Sequence, residues 1–241
     1  MKIRLDQYIM ELGLAGSRNR AQELIKGGLV LLNGQMCNKP SKEIITGSSV
    51  SIVEQQQWVS RAGRKLFEAL KSFEISVNGK TTLDVGSSTG GFTQVLLHLG
   101  ADKITSVDVG KEQLHPSLRN VARISVLEQT DIRDISPSLK DSFDLVVVDV
   151  AFISLSKIIK DIESVARKEG DIILLYKPQF EVGKQNISKN GVVKKEIDTQ
   201  KILSQFLKSL EKSSLYFVKC RKAYITGKKG NQEIFVHLKK C

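Results

Sequence analysis

Residues 145–148 are four consecutive aliphatic residues, and Asp149 follows them directly. A strand that is apolar at every position is buried on both faces, which is typical of a parallel sheet covered by helices. Predicted strands and predicted helices alternate along the chain. Strands are predicted over 82–85, 104–108, 124–127, 145–149, 172–176, 215–220 and 233–238, and helices over 92–99, 155–167 and 197–210. This alternation predicts a doubly wound, Rossmann-like α/β domain.

The first 55 residues follow a different pattern. Apolar residues recur every three or four positions over 4–12, as on one face of a helix, and Ser17 can cap a second helix over 18–26. A strand over 29–32 then enters an Asn-Gly turn, and residues 50–52 alternate as a closing strand. The predicted organisation is a small α+β domain over 1–55, a polar linker over 56–60 that begins in the run Gln55, Gln56, Gln57, and the α/β domain over 61–241. Trp58 either joins the two domains or belongs to the edge of the second core.

Positive charge is concentrated near the end of the chain. The formal net charge is +11 at pH 7, and residues 177–241 hold 15 basic and 5 acidic residues, whereas residues 1–60 hold 7 and 5. A basic block of this kind favours a polyanionic partner, either a nucleic acid or an anionic membrane surface. The alternative interpretation is a solvated, lysine-rich surface.

The three cysteines, Cys37, Cys220 and Cys241, are far apart and lack the spacing of a metal site. This usage argues against a disulfide scaffold and for a reducing compartment. The N-terminus has no apolar core of signal-peptide length, and no apolar stretch approaches the roughly 18 residues of a membrane span. We therefore expect a cytoplasmic protein with no bound metal and no membrane span. The sequence leaves the oligomeric state open, and a monomer is the simplest expectation.

A glycine-rich turn follows the strand over 82–85, at the end of the sheet where open α/β folds bind ligands. Its spacing, G-x-x-x-G-G, does not fit a dinucleotide fingerprint, and a plain tight turn is the alternative. Asp84 disfavours a phosphate, Asp108 can accept the hydroxyls of a ribose, and Asp131 can meet an adenine edge. A sulfonium cofactor, S-adenosylmethionine, fits these acids. The candidate cofactor residues are Asp84, Gly86, Ser87, Ser88, Gly90, Gly91, Phe92, Asp108, Asp131 and Asp149.

Asp149, Lys177 and Glu233 lie at predicted strand ends on one edge of the sheet, so we expect them to share a cleft. Each of them alone is more simply an ordinary surface charge. A ribose 2′-hydroxyl is a very weak acid, and an amine that has lost its proton can act as its general base. A second cation and partial burial both lower the pKa of a lysine. The hypothesis is that Lys177 deprotonates the hydroxyl, Lys65 tunes Lys177, and the two acids position the lysines.

The first domain resembles an S4 RNA-binding domain in three segments. They are the opening R-L-D, S-R-x-x-A-x-x-L-I over 17–25, and G-x-V-x-x-N-G over 28–34. The resemblance implies that this domain docks on structured RNA. The candidate RNA contacts are Arg4, Arg18, Arg20 and Lys26 in this domain, with Arg61 and Arg64 beside Lys65.

Nearly the whole chain resembles the TlyA family of rRNA methyltransferases, which join an S4 domain to an FtsJ-like catalytic domain. The resembling segments are VSRAGRKL (59–66), LDVGSSTGGFT (83–93), SVDVGKEQL (106–114), VVVDVAFISL (146–155), YKPQFEVGK (176–184), NGVV (190–193) and ITGKKGNQEIFVHLKK (225–240). The resemblance implies a Rossmann-like class I methyltransferase domain that uses S-adenosylmethionine. It places the family's Lys-Asp-Lys-Glu tetrad on Lys65, Asp149, Lys177 and Glu233, and its cofactor loop on 84–91. Two residues depart from the pattern: Arg64 stands where relatives usually have Leu, and Ala151 where they usually have Ser.

The family implies 2′-O-methylation of a cytidine in rRNA, with rRNA or a ribosomal subunit as the partner. The chain begins at the S4 motif and ends after the last strand, like the shorter members, so 23S rRNA is expected and 16S rRNA stays open. Two other classes stay open: a membrane-active haemolysin, a name given to some members, and a non-catalytic ribosome-binding factor. A base methyltransferase is disfavoured, since no Cys lies near the fourth strand and residues 149–152 lack prolines.

Overall fold

The computed structural model describes residues 2–52 and 58–241. The chain divides into two compact units, Met1–Gln57 and Trp58–Cys241. Residues 56 and 57 of the predicted linker, and Gln55 before them, lie outside the described residues. Trp58 is buried in the second unit, where its ring contacts Phe67 and His98. Trp58 is therefore part of the core of that unit.

The first unit combines two helices with two small sheets. Strand β1 (Lys2–Arg4) precedes helices α1 (Leu5–Glu11) and α2 (Arg18–Lys26), and strands β2 (Val30–Leu32), β3 (Gln35–Met36), β4 (Glu43–Ile45) and β5 (Val50–Ile52) follow. One sheet has the order β3-β2-β5, and β1 pairs with β4. Both predicted helices are confirmed, and the Ser17 hydroxyl caps α2 by accepting from the Arg20 N–H. The pairing of β1 with β4 was not predicted, because Arg4 falls within the predicted first helix and no strand is predicted over 43–45.

The second unit is built on one seven-stranded sheet. Its strands are β6 (Thr81–Val85), β7 (Lys103–Val107), β8 (Ile124–Leu127), β9 (Phe143–Val148), β10 (Ala166–Tyr176), β11 (Leu215–Lys222) and β12 (Ile234–Lys240). Their order is β11-β12-β10-β9-β6-β7-β8. The five strands from β10 to β8 are parallel, and β12 is antiparallel to both of its neighbours. The predicted α/β class is confirmed, with a mixed sheet.

Helices cover both faces of this sheet. They are α3 (Arg61–Phe73), α4 (Gly91–His98), α5 (Pro116–Arg119), α6 (Ile132–Ile135), α7 (Ile159–Val165), α8 (Pro178–Glu181) and α9 (Thr199–Ser209). On β9, Val146 and Val148 pack in the core on one face, and Leu145 and Val147 pack in the core on the other. The continuous apolar run of β9 is thus buried on both sides, as predicted.

The predicted helix over 155–167 is wrong at both ends. Residues Leu155–Lys157 form a short 3-10 turn, and α7 stops at Val165. Ala166 already pairs with Phe143 in the sheet, and β10 shifts register between Ala166 and Asp171. The polar residues in this bulge, with Glu169 at φ 61°, obscure the early start of the strand in the hydrophobic pattern.

Candidate active site

Three strand ends meet at one edge of the large sheet. Val148 at the end of β9 is in register with Leu174 on β10, and Tyr176 at the end of β10 is in register with Ile234. Because β12 runs antiparallel to β10, the first residue of β12 lies at the edge where β9 and β10 end. Asp149, Lys177 and Glu233 are the residues next to these ends. The sheet therefore brings all three of them to one edge.

Two ion pairs occupy this edge. Lys177 Nζ lies 2.6 Å from Asp149 Oδ1, in a contact whose angles do not make a hydrogen bond. Lys65 Nζ donates to Glu233 Oε2 at 2.6 Å. The side chains of Lys65 and Glu233 are 9% and 5% exposed, against 14% and 18% for Lys177 and Asp149. Lys177 is the more accessible of the two lysines, and each lysine contacts an acid.

A close approach of two helices carries Lys65 to this edge. A Cβ added to Gly63 on α3 would lie 2.9 Å from the Gly91 carbonyl oxygen at the start of α4, and 2.6 Å from Trp58 Cβ. A Cβ added to Gly91 would in turn collide with Ser60 Oγ. Both positions therefore require glycine for packing. The turn after β6 and the helix that carries Lys65 are held together at this point.

A cavity of about 430 Å³ opens beside Lys177 and Glu233. Its apolar part includes Phe152 and Phe180, whose ring centroids are 5.4 Å apart. Phe152 is 93% exposed and has φ 65°, a left-handed conformation that is rare for an aromatic residue. Lys228, Lys229 and Asn231 form the polar side of this cavity, which we call the lysine cavity.

A second cavity, of about 400 Å³, lies at the carboxyl ends of β6, β7 and β9. We call it the acidic cavity, since no basic side chain among the described residues lines it. Gly86 has φ 81°, and a Cβ there would lie 2.7 Å from the Asp149 carbonyl oxygen. Phe152 lines both cavities. The candidate cofactor residues that line the acidic cavity are Gly86, Ser88, Asp108, Asp131 and Asp149.

Two of these acids are already held by other groups. Asp108 Oδ2 accepts from the Ser88 N–H at 2.8 Å, and Oδ1 accepts from the Gly110 N–H at 2.7 Å. Asp131 caps α6 and accepts two hydrogen bonds from the Arg133 guanidinium. The hydrogen bond from Arg133 is the main cause that lowers the pKa of Asp131. Asp108 is the acid with fewer charged partners and so the freer acceptor.

The other candidate cofactor residues, Asp84, Ser87, Gly90, Gly91 and Phe92, are buried and do not line the acidic cavity. Asp84 Oδ2 accepts from Thr93 Oγ1 at 2.6 Å, and its Oδ1 has no hydrogen-bond partner. Burial, with smaller effects of the Asp149 and Asp108 charges, raises the pKa of Asp84 to about 7. Asp84 therefore lies beneath the turn that borders the cavity.

Two acids that were not predicted shape the loops at the cavities. Glu128 accepts from the backbone N–H groups of residues 112, 113 and 114 and from Arg119. These bonds, that of Leu114 first, lower the pKa of Glu128 to about 2. Glu181 accepts from Ser154 Oγ at 2.6 Å and from the Leu155 N–H at 2.9 Å. The spacing of these acids along the sequence gives no sign of these contacts, which depend on the packing of distant segments.

Comparisons with known proteins identify the family of the chain and of each of its domains. Residues 58–240 match the FtsJ-like methyltransferase family, and residues 3–50 match the S4 domain. The chain is 37% identical to the 16S/23S rRNA (cytidine-2′-O)-methyltransferase TlyA of Mycobacterium tuberculosis, over 99% of this chain and 90% of the relative. The chain belongs to the TlyA family of FtsJ-like methyltransferases.

Other TlyA-family relatives carry two kinds of name. The 23S rRNA (cytidine-2′-O)-methyltransferase TlyA of Campylobacter jejuni is 39% identical, over 92% of this chain and 93% of the relative. Hemolysin A of Brachyspira hyodysenteriae is 37% identical, over 98% and 99%. A solved structure from Streptococcus thermophilus, which also carries a hemolysin name, matches with a TM-score of 0.73 and 34% identity, over 99% and 88%. No helix within residues 2–52 and 58–241 is long and apolar enough to cross a membrane.

The candidate RNA contacts of this TlyA-family chain have different surroundings. In the S4 unit, the guanidinium groups of Arg4 and Arg18 both contact the buried Asp6. Arg20 pairs with Glu23 at 3.2 Å, and Lys26 is exposed. In the second unit, the Arg64 guanidinium lies 5.2 Å from the ring centroid of Tyr224, while Arg61, the first residue of α3, is half-buried.

Proposed function

We propose that this TlyA-family chain is an S-adenosylmethionine-dependent methyltransferase that modifies the ribose 2′-hydroxyl of a cytidine in ribosomal RNA. The observation that carries the proposal is the contact of Lys177 with Asp149 at the sheet edge that two cavities border. The two TlyA relatives named above are described by this activity. The expected target is 23S rRNA, and the Mycobacterium tuberculosis name includes 16S rRNA as well.

The acidic cavity fits a cofactor that carries positive charge. Its described lining contains three aspartates and no basic side chain, and the backbone at Gly86 leaves room for close approach. Each oxygen of Asp108 uses one lone pair on a backbone N–H, so the carboxylate keeps acceptor capacity for ribose hydroxyls. Gly86, Ser88, Asp108 and Asp131 would hold S-adenosylmethionine. When bound, the cofactor supplies an electrophilic methyl group.

Lys177 is the residue placed to move the proton. In the proposed reaction, the neutral amine at Lys177 Nζ takes the proton of the 2′-hydroxyl, and the ribose oxygen becomes the nucleophile. Asp149 Oδ1, at 2.6 Å, stabilises the ammonium that forms and fixes the position of Nζ. Glu233 lines the lysine cavity beside Lys177, and its buried ion pair with Lys65 holds it there.

The lysine cavity fits a single nucleotide turned out of a helix. The exposed ring of Phe152, supported by Phe180, offers a face on which a base can stack. With the base on that face, the ribose would lie between Lys177 and the acidic cavity. The S4 unit and the basic block over 177–241 would bind the surrounding rRNA, whose cellular location is the cytoplasm.

Single-turnover transfer of a labelled methyl group to unmodified rRNA tests this function. Wild-type protein should methylate one cytidine ribose, found by mass spectrometry. Lys177→Ala should lower the rate about 10²–10⁴-fold, the range of general acid-base catalysis. Its affinity for S-adenosylmethionine, measured by calorimetry, should stay near that of the wild type. A normal rate in Lys177→Ala at neutral pH would end the catalytic assignment, and a wild type that binds no cofactor would favour a ribosome-binding factor.

A further inference from the structure

The turn between β11 and β12 holds two lysines at the lysine cavity. The Gly230 N–H donates to the Gly227 carbonyl at 2.8 Å, and the Gly227 N–H donates to the Asn231 carbonyl at 2.8 Å. A Cβ on Gly227 would lie 2.6 Å from Glu233 Oε1, so the turn is packed directly against a tetrad acid. Lys228 and Lys229 are the two central residues of this turn, and both line the cavity.

The side chain of one of these lysines lies against the neighbouring loop. A Cβ on Gly191 would lie 2.6 Å from Lys229 Nζ and 2.7 Å from Lys229 Cδ, so the lysine lies along the backbone of that loop. The buried Asn231 ties the loop to the turn: its Oδ1 accepts from the Val193 N–H at 3.0 Å, and its Nδ2 donates to the Gly191 carbonyl at 2.9 Å. Asn231 therefore holds the backbone of the loop and that of the turn together where the Lys229 side chain lies between them.

The charges of these two lysines have no partner within the part of the chain that the structure describes. Neither Nζ lies within 4.0 Å of a carboxylate there, whereas Lys65 and Lys177 each contact one at 2.6 Å. The other features of the cavity suit the base and the ribose of a nucleotide. Two unpaired ammonium groups beside them suit the remaining part of a nucleotide, its phosphate.

We propose that Lys228 and Lys229 form a subsite for the RNA phosphodiester next to the ribose that is methylated. The proposal rests on the proposed function and deepens it, because it names the residues that bind the phosphodiester, a part of the substrate for which the tetrad has no role. The phosphate charge is the same before and during methyl transfer. The subsite therefore binds the substrate and the transition state equally, and its removal should raise KM without changing kcat.

The test compares two double variants of the full chain in which the same amount of charge is removed. In Lys228→Gln/Lys229→Gln the subsite is removed. In the control, Lys103→Gln/Lys168→Gln, both exposed side chains lie near strand starts, at the end of the sheet opposite the cavities and outside the basic block over 177–241. Methyl transfer to unmodified 23S rRNA is measured over a series of salt concentrations.

The glutamine variant should have a KM about 10-fold above that of the wild type and a kcat within about 2-fold of it. The slope of log(kcat/KM) against log salt concentration should be smaller by about 0.7 for each phosphate that is no longer neutralised. The control should keep the wild-type KM, kcat and salt dependence. The variant Lys228→Arg/Lys229→Arg, which keeps both charges, should have a KM near that of the wild type.

Several outcomes would overturn the subsite. The first is a wild-type KM and salt dependence in the glutamine variant, and the second is an equal change of both quantities in the control. The third is an affinity for S-adenosylmethionine that falls by the same factor as KM rises, which would show that the lysines bind the cofactor. Thermal unfolding of each variant shows whether the fold is retained. If the double glutamine variant is unstable, Lys228→Gln alone decides the test, because the loss of one of the two charges should still raise KM without changing kcat. The proposed function fails separately: in that case the wild type itself transfers no methyl group to rRNA.

Discussion

The acids at the carboxyl ends of the parallel strands have three different environments. Asp84 is fully buried with one oxygen unpartnered, Asp108 is held by two backbone N–H groups, and Asp131 is paired with Arg133. Burial favours the neutral form of a carboxyl group, and the hydrogen bond that Asp84 accepts from Thr93 offsets this effect only in part. Asp84 therefore differs from the other two in its effect on the stability of the fold as well as in its position.

Asp84→Asn should change how stability depends on pH. The pKa of Asp84 is raised to about 7 in the folded chain, above the roughly 3.9 of an unfolded chain. Between these values the folded state binds more protons than the unfolded state, so this carboxyl makes the protein less stable as pH rises. The free energy of unfolding of wild type minus that of Asp84→Asn should fall from pH 4.5 to pH 7, by at most about 1.4 kcal/mol per pH unit, and then level off. Urea unfolding of both proteins over this pH range measures the difference. Parallel curves of the free energy of unfolding against pH would contradict the raised pKa of Asp84.

The sequence predicted that these residues lie at strand ends, but not which of them reach the cavity. Burial of Asp84 depends on its contact with Thr93, nine residues later, and on the helix that begins at Gly91. In the same way, the strand ends predicted a shared cleft for Asp149, Lys177 and Glu233, and the family resemblance added Lys65, but neither indicated how the four residues pair. The pairing depends on α3, which was not among the predicted helices and which carries Lys65 to Glu233.

At the scale of elements, Glu181 joins two segments that both border the lysine cavity. It ends α8, which follows Lys177, and its carboxylate holds Ser154 and Leu155, which follow Asp149. Between them lies Phe152, with φ 65°. A non-glycine residue in this region costs about 1–3 kcal/mol and persists only where its surroundings fix it. The Glu181 contacts are such a constraint.

Glu181→Gln should therefore weaken catalysis more than it weakens the fold. An amide has one acceptor oxygen, so it cannot accept from both Ser154 Oγ and the Leu155 N–H through separate oxygens as the carboxylate does. We expect kcat/KM for rRNA to fall about 10-fold, since displacements near 1 Å in a reacting group can cost up to about 100-fold. Glu163→Gln is the matched control, because Glu163 accepts from the N–H and hydroxyl of Ser214 at another part of the unit. Equal decreases in the two variants would show that Glu181 has no special role at the site.

Most long elements were predictable, and the short or irregular ones were not. The buried strand β9 has a continuous apolar run, and the helices α2 and α9 have clear caps, at Ser17 and Asp198. The wrong helix over 155–167 shows the limit, because its apolar spacing continues across the point where Ala166 joins the sheet. The Gly227–Gly230 turn gave no periodic signal at all, although it shapes one side of the lysine cavity.

At the scale of the whole molecule, each unit has its own core and its own set of polar residues. Leu5, Ile9, Ile25 and Val30 belong to the core of the first unit, which contains no tetrad residue. All four tetrad residues and both cavities belong to the second unit. RNA affinity and methyl transfer should therefore respond to different substitutions.

A pair of substitutions in the S4 unit should separate the two properties. Arg20→Gln/Lys26→Gln removes two exposed basic residues of α2 and spares Arg4 and Arg18, whose contacts with Asp6 hold that unit together. Filter binding of unmodified rRNA should show weaker affinity and a salt dependence lower by about 0.9 for each duplex phosphate that the variant no longer neutralises. Cofactor affinity should be unchanged, because no residue of α2 lines the acidic cavity.

Lys177→Ala should show the reverse, with rRNA affinity near that of the wild type and methyl transfer nearly abolished. If the S4 variant binds rRNA as tightly as the wild type, the RNA contacts must lie on the basic block over 177–241 instead.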